Sequence, residues 1–211
     1  MFDPSELLLY ACTDRGVLAG RDLLQAVRQA IAGGATMLQL REKEASSREF
    51  FQLGVAVHEL TAAHGVPLVI NDRVDIAQAI GAEGLHLGQS DLPVAVARRI
   101  LGPDVFIGVS ANTVALAQQA LDEGADYIGT GPVFATGSTT DAGAVIGLEA
   151  LAEVAKGISA PVVGIGGINA ENAASILRAG AAGVALIADI FGAADIEAAA
   201  AKLRDVLELK K

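Results

Sequence analysis

An α/β chain built as a parallel (β/α)8 TIM barrel is the architecture this sequence predicts, and three observations lead to it. Short aliphatic and β-branched runs alternate with longer Ala-rich amphipathic segments along all 211 residues. Strict alternation of this kind sets successive strands parallel, with a helix returning between each pair. Glycines also punctuate the periodic segments, at Gly33-Gly34, Gly65, Gly81, Gly102, Gly124, Gly157 and Gly180, as residues closing a helix do. Finally, the chain is 52% hydrophobic but only 4% aromatic with no Trp, which suits close helix-on-sheet packing of small side chains. Closure covers both sheet edges, and roughly 200 residues is near the lower limit for the barrel. A doubly wound open sheet is the alternative, because periodicity does not report closure. No break in composition divides the chain, so residues 1–211 read as a single domain.

Strands are expected at 7–12, 36–41, 67–71, 84–88, 105–109, 126–130, 161–165 and 183–187. Helical patterns fall between them at 21–32, 47–64, 73–80, 93–101, 113–123, 147–157, 170–179 and 194–208. Asn112 and Asn169 stand where helix N-caps belong. One polar loop, residues 135–145, is long and made of small residues, a composition that reads as a lid over a site.

A net charge of −10 and a pI near 4.7 argue against a nucleic-acid or anionic-membrane partner. The segment Met1–Glu6 lacks a basic leader, and no apolar run approaches the roughly 18 residues of a membrane span. A lone cysteine, Cys12, lies in an apolar run as a buried thiol, and a cytoplasmic location is expected.

In a parallel barrel, chemistry belongs at the C-terminal ends of the strands. The second strand ends Gln39-Leu40-Arg41-Glu42-Lys43. With a period of two, Gln39, Arg41 and Lys43 share the face opposite Leu38 and Leu40, and so point into the barrel mouth. Two cations there imply an anionic ligand, or else pairing with barrel acids such as Asp72. The third and fourth strands end in Asn71-Asp72 and His86-Leu87-Gly88-Gln89-Ser90-Asp91. Asp72 and Asp91 would repel each other unless a cation lay between them, and their oxygens suit Mg²⁺. Both are equally placed to cap the helices that follow. His86 reads as a hydrogen-bonded barrel residue, whereas His58 and His64 read as solvated helix positions. Ser110 and the run Ala135-Thr136-Gly137-Ser138 offer hydroxyls, and Gly166-Gly167 and Ala188 offer backbone N–H groups, to phosphate oxygens.

Taken together, Gln39–Lys43, Asn71–Asp75, His86–Asp91, Gly108–Ser110, Tyr127–Thr136 and Gly164–Ile168 closely resemble the thiamine-phosphate synthase family, in register from about residue 7 to residue 192. The resemblance implies a (β/α)8 transferase that joins hydroxymethylpyrimidine diphosphate to a thiazole phosphate and releases pyrophosphate. It implies Mg²⁺ on Asp72 and Asp91 beside Asn71, with diphosphate oxygens on Arg41, Lys43 and Ser110. It also implies a pyrimidine oriented by Gln39, and a thiazole phosphate met by Thr136, Ser138, Gly166, Gly167 and Ala188. The partners implied are small molecules, with room for a homo-oligomer.

Three positions depart from the family pattern. The Lys that usually follows the hydroxyl pair in the sixth-strand loop is absent from Thr136-Gly137-Ser138-Thr139-Thr140, the usual His after Ser-Ala is Asn112, and the usual Ser of the eighth turn is Ala188. An isomerase resembling the thiazole tautomerase is one alternative, but it needs a His where this chain has Pro132. A non-catalytic thiamine-phosphate binder is the other.

Overall fold

The computed structural model describes residues 2–137 and 143–209. Its eight strands are β1 (Leu9–Cys12), β2 (Met37–Leu40), β3 (Leu68–Asn71), β4 (Gly84–Leu87), β5 (Phe106–Ser110), β6 (Tyr127–Thr130), β7 (Val162–Ile165) and β8 (Gly183–Leu186). All neighbours pair in parallel and β8 returns to β1, so the sheet is a closed barrel and the open-sheet alternative falls. Each expected strand is present, trimmed or shifted by a residue or two.

The helices are α1 (Arg15–Leu18), α2 (Leu23–Ala32), α3 (Ser47–Ala62), α4 (Val74–Ile80), α5 (Val94–Leu101), α6 (Val114–Asp122), α7 (Gly147–Gly157), α8 (Ala173–Arg178), α9 (Ala188–Phe191) and α10 (Ile196–Glu208). Single-turn α1 and α9 were too short to leave a periodic signal. A 3-10 turn, Pro4–Leu7, precedes β1 and takes Leu7, the first residue expected in that strand. The α3 start follows from a capping box: Ser46 accepts from Glu49 N, and Glu49 returns to Ser46 N at 3.0 Å.

Alternation along each strand divides the core in two. Leu38, Leu40, Ile70, Leu85 and Ile128 face the helices. Tyr10, Met37, Val69, Tyr127 and Val163 fill the barrel's interior. Phe2 stops its lower end, with its ring 4.9 Å from Phe106 and 5.7 Å from Tyr127. The lower rim is tied by Glu83, which accepts from Leu68 N and meets His58 at 2.9 Å; His58 is therefore engaged rather than merely solvated. His64 likewise contacts the Leu60 carbonyl. Among the described residues, no helix is long and apolar enough to cross a membrane.

Candidate active site

A cavity of about 770 Å³ opens at the C-terminal ends of the strands. Gln39, Arg41, Lys43, Asn71, Asp72 and Asp91 line one side of the expected constellation, and Ser110, Thr136, Gly166, Gly167 and Ala188 complete it. Ser138, the remaining expected contact, lies outside the described residues, as does Thr139.

The pleat of β2 does what the sequence suggests. Gln39 is inside and almost fully buried, while Leu38 and Leu40 pack outward. Beyond the strand, Arg41 N donates to Thr13 Oγ1 at 3.1 Å and the Arg41 guanidinium pairs with Asp14. Lys43 Nζ lies 2.7 Å from Asp72 Oδ2. Glu42, on the opposite face, pairs instead with Arg15 at 2.8 Å.

Neither aspartate caps a helix. The α4 N-cap is Arg73 and the α5 N-cap is Pro93, and neither makes a side-chain cap bond. Asp72 instead sits in a three-residue turn, with φ at 63° and Arg73 N donating to Asn71 O at 2.8 Å. A non-glycine residue held at positive φ costs about 1–3 kcal/mol and is typical of functional positions. Asp91 accepts from Gly88 N at 2.7 Å, closing its own turn, and the missing Cβ at Gly88 leaves the carboxylate its place. The two carboxyls line the same cavity, close enough for each to act on the other's charge. Burial, then the Asp72 carboxyl, raise the Asp91 pKa; Gly88 N and Lys43 oppose that rise.

Such a pair fits a divalent cation. Mg²⁺ is held by one or two carboxylates and fills its other positions with water and phosphate oxygens. No group of three or more His, Cys, Asp or Glu gathers among the described residues, so a cage made wholly of protein ligands is not offered here.

Below the rim runs a polar chain that the sequence did not disclose. Gln39 Nε2 donates to Tyr10 Oη at 2.6 Å, and the Tyr10 and Tyr127 hydroxyls lie 3.0 Å apart. Tyr127 Oη is 2.9 Å from His86 Nδ1, and His86 Nε2 is 3.0 Å from Ser110 Oγ. Burial lowers the His86 pKa to about 4 against a weaker pull from Asp72, and raises both phenols. All three rings are therefore neutral at physiological pH. Cys12, buried beside them, has its thiol pushed up to about 12 by burial.

The far rim is held by backbone. Asn112 donates to Gly131 O at 2.8 Å and accepts from Gly131 N at 2.9 Å, extending the β5–β6 pairing by a side chain. The α6 cap is consequently Thr113, not Asn112. Asn169 likewise binds Glu171 N and Asn172 N in a turn, and α8 begins only at Ala173. The Gly166-Gly167 turn therefore does not abut a helix N-terminus. Its glycines answer to close packing: Cβ atoms there would lie 2.4 Å from Pro132 Cβ and 2.4 Å from Ala135 O.

Comparison with known proteins shows what the whole chain is similar to. The family model described as thiamine monophosphate synthase matches residues 9–190. The chain is 52% identical to a thiamine-phosphate synthase of Moorella thermoacetica, covering 94% of this chain and 95% of that one. It is 50% identical to a thiamine-phosphate synthase of Ruminiclostridium cellulolyticum, covering 94% of each. A solved thiamine phosphate pyrophosphorylase from Pyrococcus furiosus superposes with a TM-score of 0.90 at 40% identity, covering 98% of each chain. With the barrel, the cavity and these relatives in agreement, the chain belongs to the thiamine monophosphate synthase family.

Proposed function

We propose that this barrel joins hydroxymethylpyrimidine diphosphate to a thiazole phosphate, giving thiamine phosphate and pyrophosphate. The observation that carries the reading is the meeting of Asp72, Asp91 and Lys43 on one rim of a single cavity. Asp72 and Asp91, with Asn71 alongside, would hold Mg²⁺, which would supply positive charge to the diphosphate. Arg41 and Lys43 exchange their present acidic partners for diphosphate oxygens, and Ser110 donates its hydroxyl to the departing group. Gln39 orients the pyrimidine within the barrel. As the C–O bond to the diphosphate breaks, these donors meet the charge that builds on the leaving oxygens. The thiazole nitrogen then supplies the electron pair that closes the new C–N bond. Thr136, the Gly166-Gly167 turn and the backbone at Ala188 hold the thiazole phosphate across the cavity. Positioning and charge stabilisation suffice, and no protein nucleophile is required.

Pro132 supplies no proton-transferring group, so the tautomerase-like alternative has no acid or base at the position it needs. The test is formation of thiamine phosphate by the purified protein from both substrates, with and without Mg²⁺. Asp72→Asn and Asp91→Asn should each abolish Mg²⁺-dependent turnover. Unchanged rates in both variants would end the metal assignment, and no product from the native protein would end the synthase reading.

A further inference from the structure

From the buried polar chain we infer that Gln39, Tyr10, Tyr127 and His86 form a one-way hydrogen-bond relay that fixes Ser110 as a donor into the cavity. The direction follows from the first member. Gln39 Nε2 can only donate, so Tyr10 Oη accepts from it and gives its own proton onward to Tyr127 Oη. Tyr127, accepting from Tyr10, gives its proton to His86 Nδ1, which must then carry none. A neutral imidazole bare at Nδ1 is protonated at Nε2, and that N–H donates to Ser110 Oγ. Ser110 thus has an acceptor site filled from below, and its own proton is left for an acceptor in the cavity. An anion is what that proton suits.

The barrel makes room for this relay at two glycines. A Cβ at Gly108 would lie 1.9 Å from Tyr127 Cζ, and one at Gly129 would lie 3.1 Å from His86 Cε1. Gly108 stands in register between His86 on β4 and Tyr127 on β6, so Tyr127 reaches across β5 through the gap. Tyr10, Tyr127 and His86 are positioning residues in this account. Gln39 and Ser110, at the two ends, are the groups that touch ligand, so the relay ties recognition at one end to charge stabilisation at the other. Naming the acceptor as the leaving diphosphate rests on the synthase reading; the direction of the relay does not.

Gln39→Glu tests the direction. A carboxylate at this position accepts from Tyr10, reversing every link: Tyr127 then donates to Tyr10, His86 Nδ1–H donates to Tyr127, and Nε2 accepts from Ser110. Nitrogen-15 NMR of the His86 ring at neutral pH should show the Nε2–H tautomer in the native protein and the Nδ1–H tautomer in Gln39→Glu. A native Nδ1–H tautomer, or one unmoved by the substitution, overturns the relay whether or not the protein turns over substrate. Tyr127→Phe supplies a kinetic check: kcat should fall about tenfold with little change in KM for the diphosphate substrate. In a Ser110→Ala background the same change should cost nothing further, and additive losses would count against the relay.

Discussion

Lys43 Nζ and Asp72 Oδ2 sit 2.7 Å apart, so a side-chain ammonium already faces a carboxylate assigned to Mg²⁺. On the proposed reading, Lys43 and Mg²⁺ would compete for one oxygen. Lys43→Met should therefore move two quantities in opposite directions. Loss of a donor to the leaving group should lower kcat/KM by about 10²–10³-fold, the scale of deleting one charge-stabilising donor. The Mg²⁺ concentration for half-maximal rate should fall at the same time. Steady-state rates across a Mg²⁺ titration read both, and a raised Mg²⁺ requirement would refute the competition.

His86 makes stability depend on pH. Its folded pKa is about 4 against an ordinary 6.5, so between these values the unfolded chain holds the extra proton. Stability from this group is complete above pH 6.5 and is lost as pH falls toward 4. Part of the ring faces the cavity, which reduces the effect to the order of 1–3 kcal/mol. Denaturant unfolding of the native chain and of His86→Gln across that window should show a steeper acid loss in the native chain.

Asn112 holds Gly131 by two hydrogen bonds at an exposed edge. Asn112→Ala should cost about 0.5–1.5 kcal/mol and lower Tm by a few degrees. Asn112→His, whose donor and acceptor nitrogens diverge around the ring and cannot both meet Gly131, should recover only part of this in a thermal melt.

Cys12 should be chemically silent. With its thiol buried and its pKa near 12, the folded protein should resist disulfide reagents at pH 8, and denaturant should release one reactive thiol per chain. Rapid labelling of the folded protein would contradict this.

The fold was legible because each strand and each long helix carries its own period and its own stop. Gly81 and Gly102 end α4 and α5 as the pattern suggests. The rest is either too short to have a period, like α1 and α9, or settled by distant partners. At the site, the face shared by Gln39, Arg41 and Lys43 could be read from strand alternation alone. That Asp72 and Asp91 are not caps could not, because the deciding contacts come from Lys43 and Gly88 and from a backbone turn at positive φ. Asn112 and Asn169 precede helices without capping them for the same reason, since an amide that satisfies a neighbouring loop has the same local sequence as one that starts a helix. The polar chain from Gln39 to Ser110 has no local signature, as its members come from five strands and meet only on closure.

The hydrogen bonds joining Val133 N to Ile165 O and Phe134 N to Gly166 O continue the β6–β7 ladder past the barrel mouth, and Ile146 N bonded to Pro132 O fastens the returning segment. Both feet of the sixth crossover are thereby bolted to the framework. A change at Val133 or Phe134 should therefore be felt along β7 as well as at the cavity wall, because backbone hydrogen bonds join the two segments there.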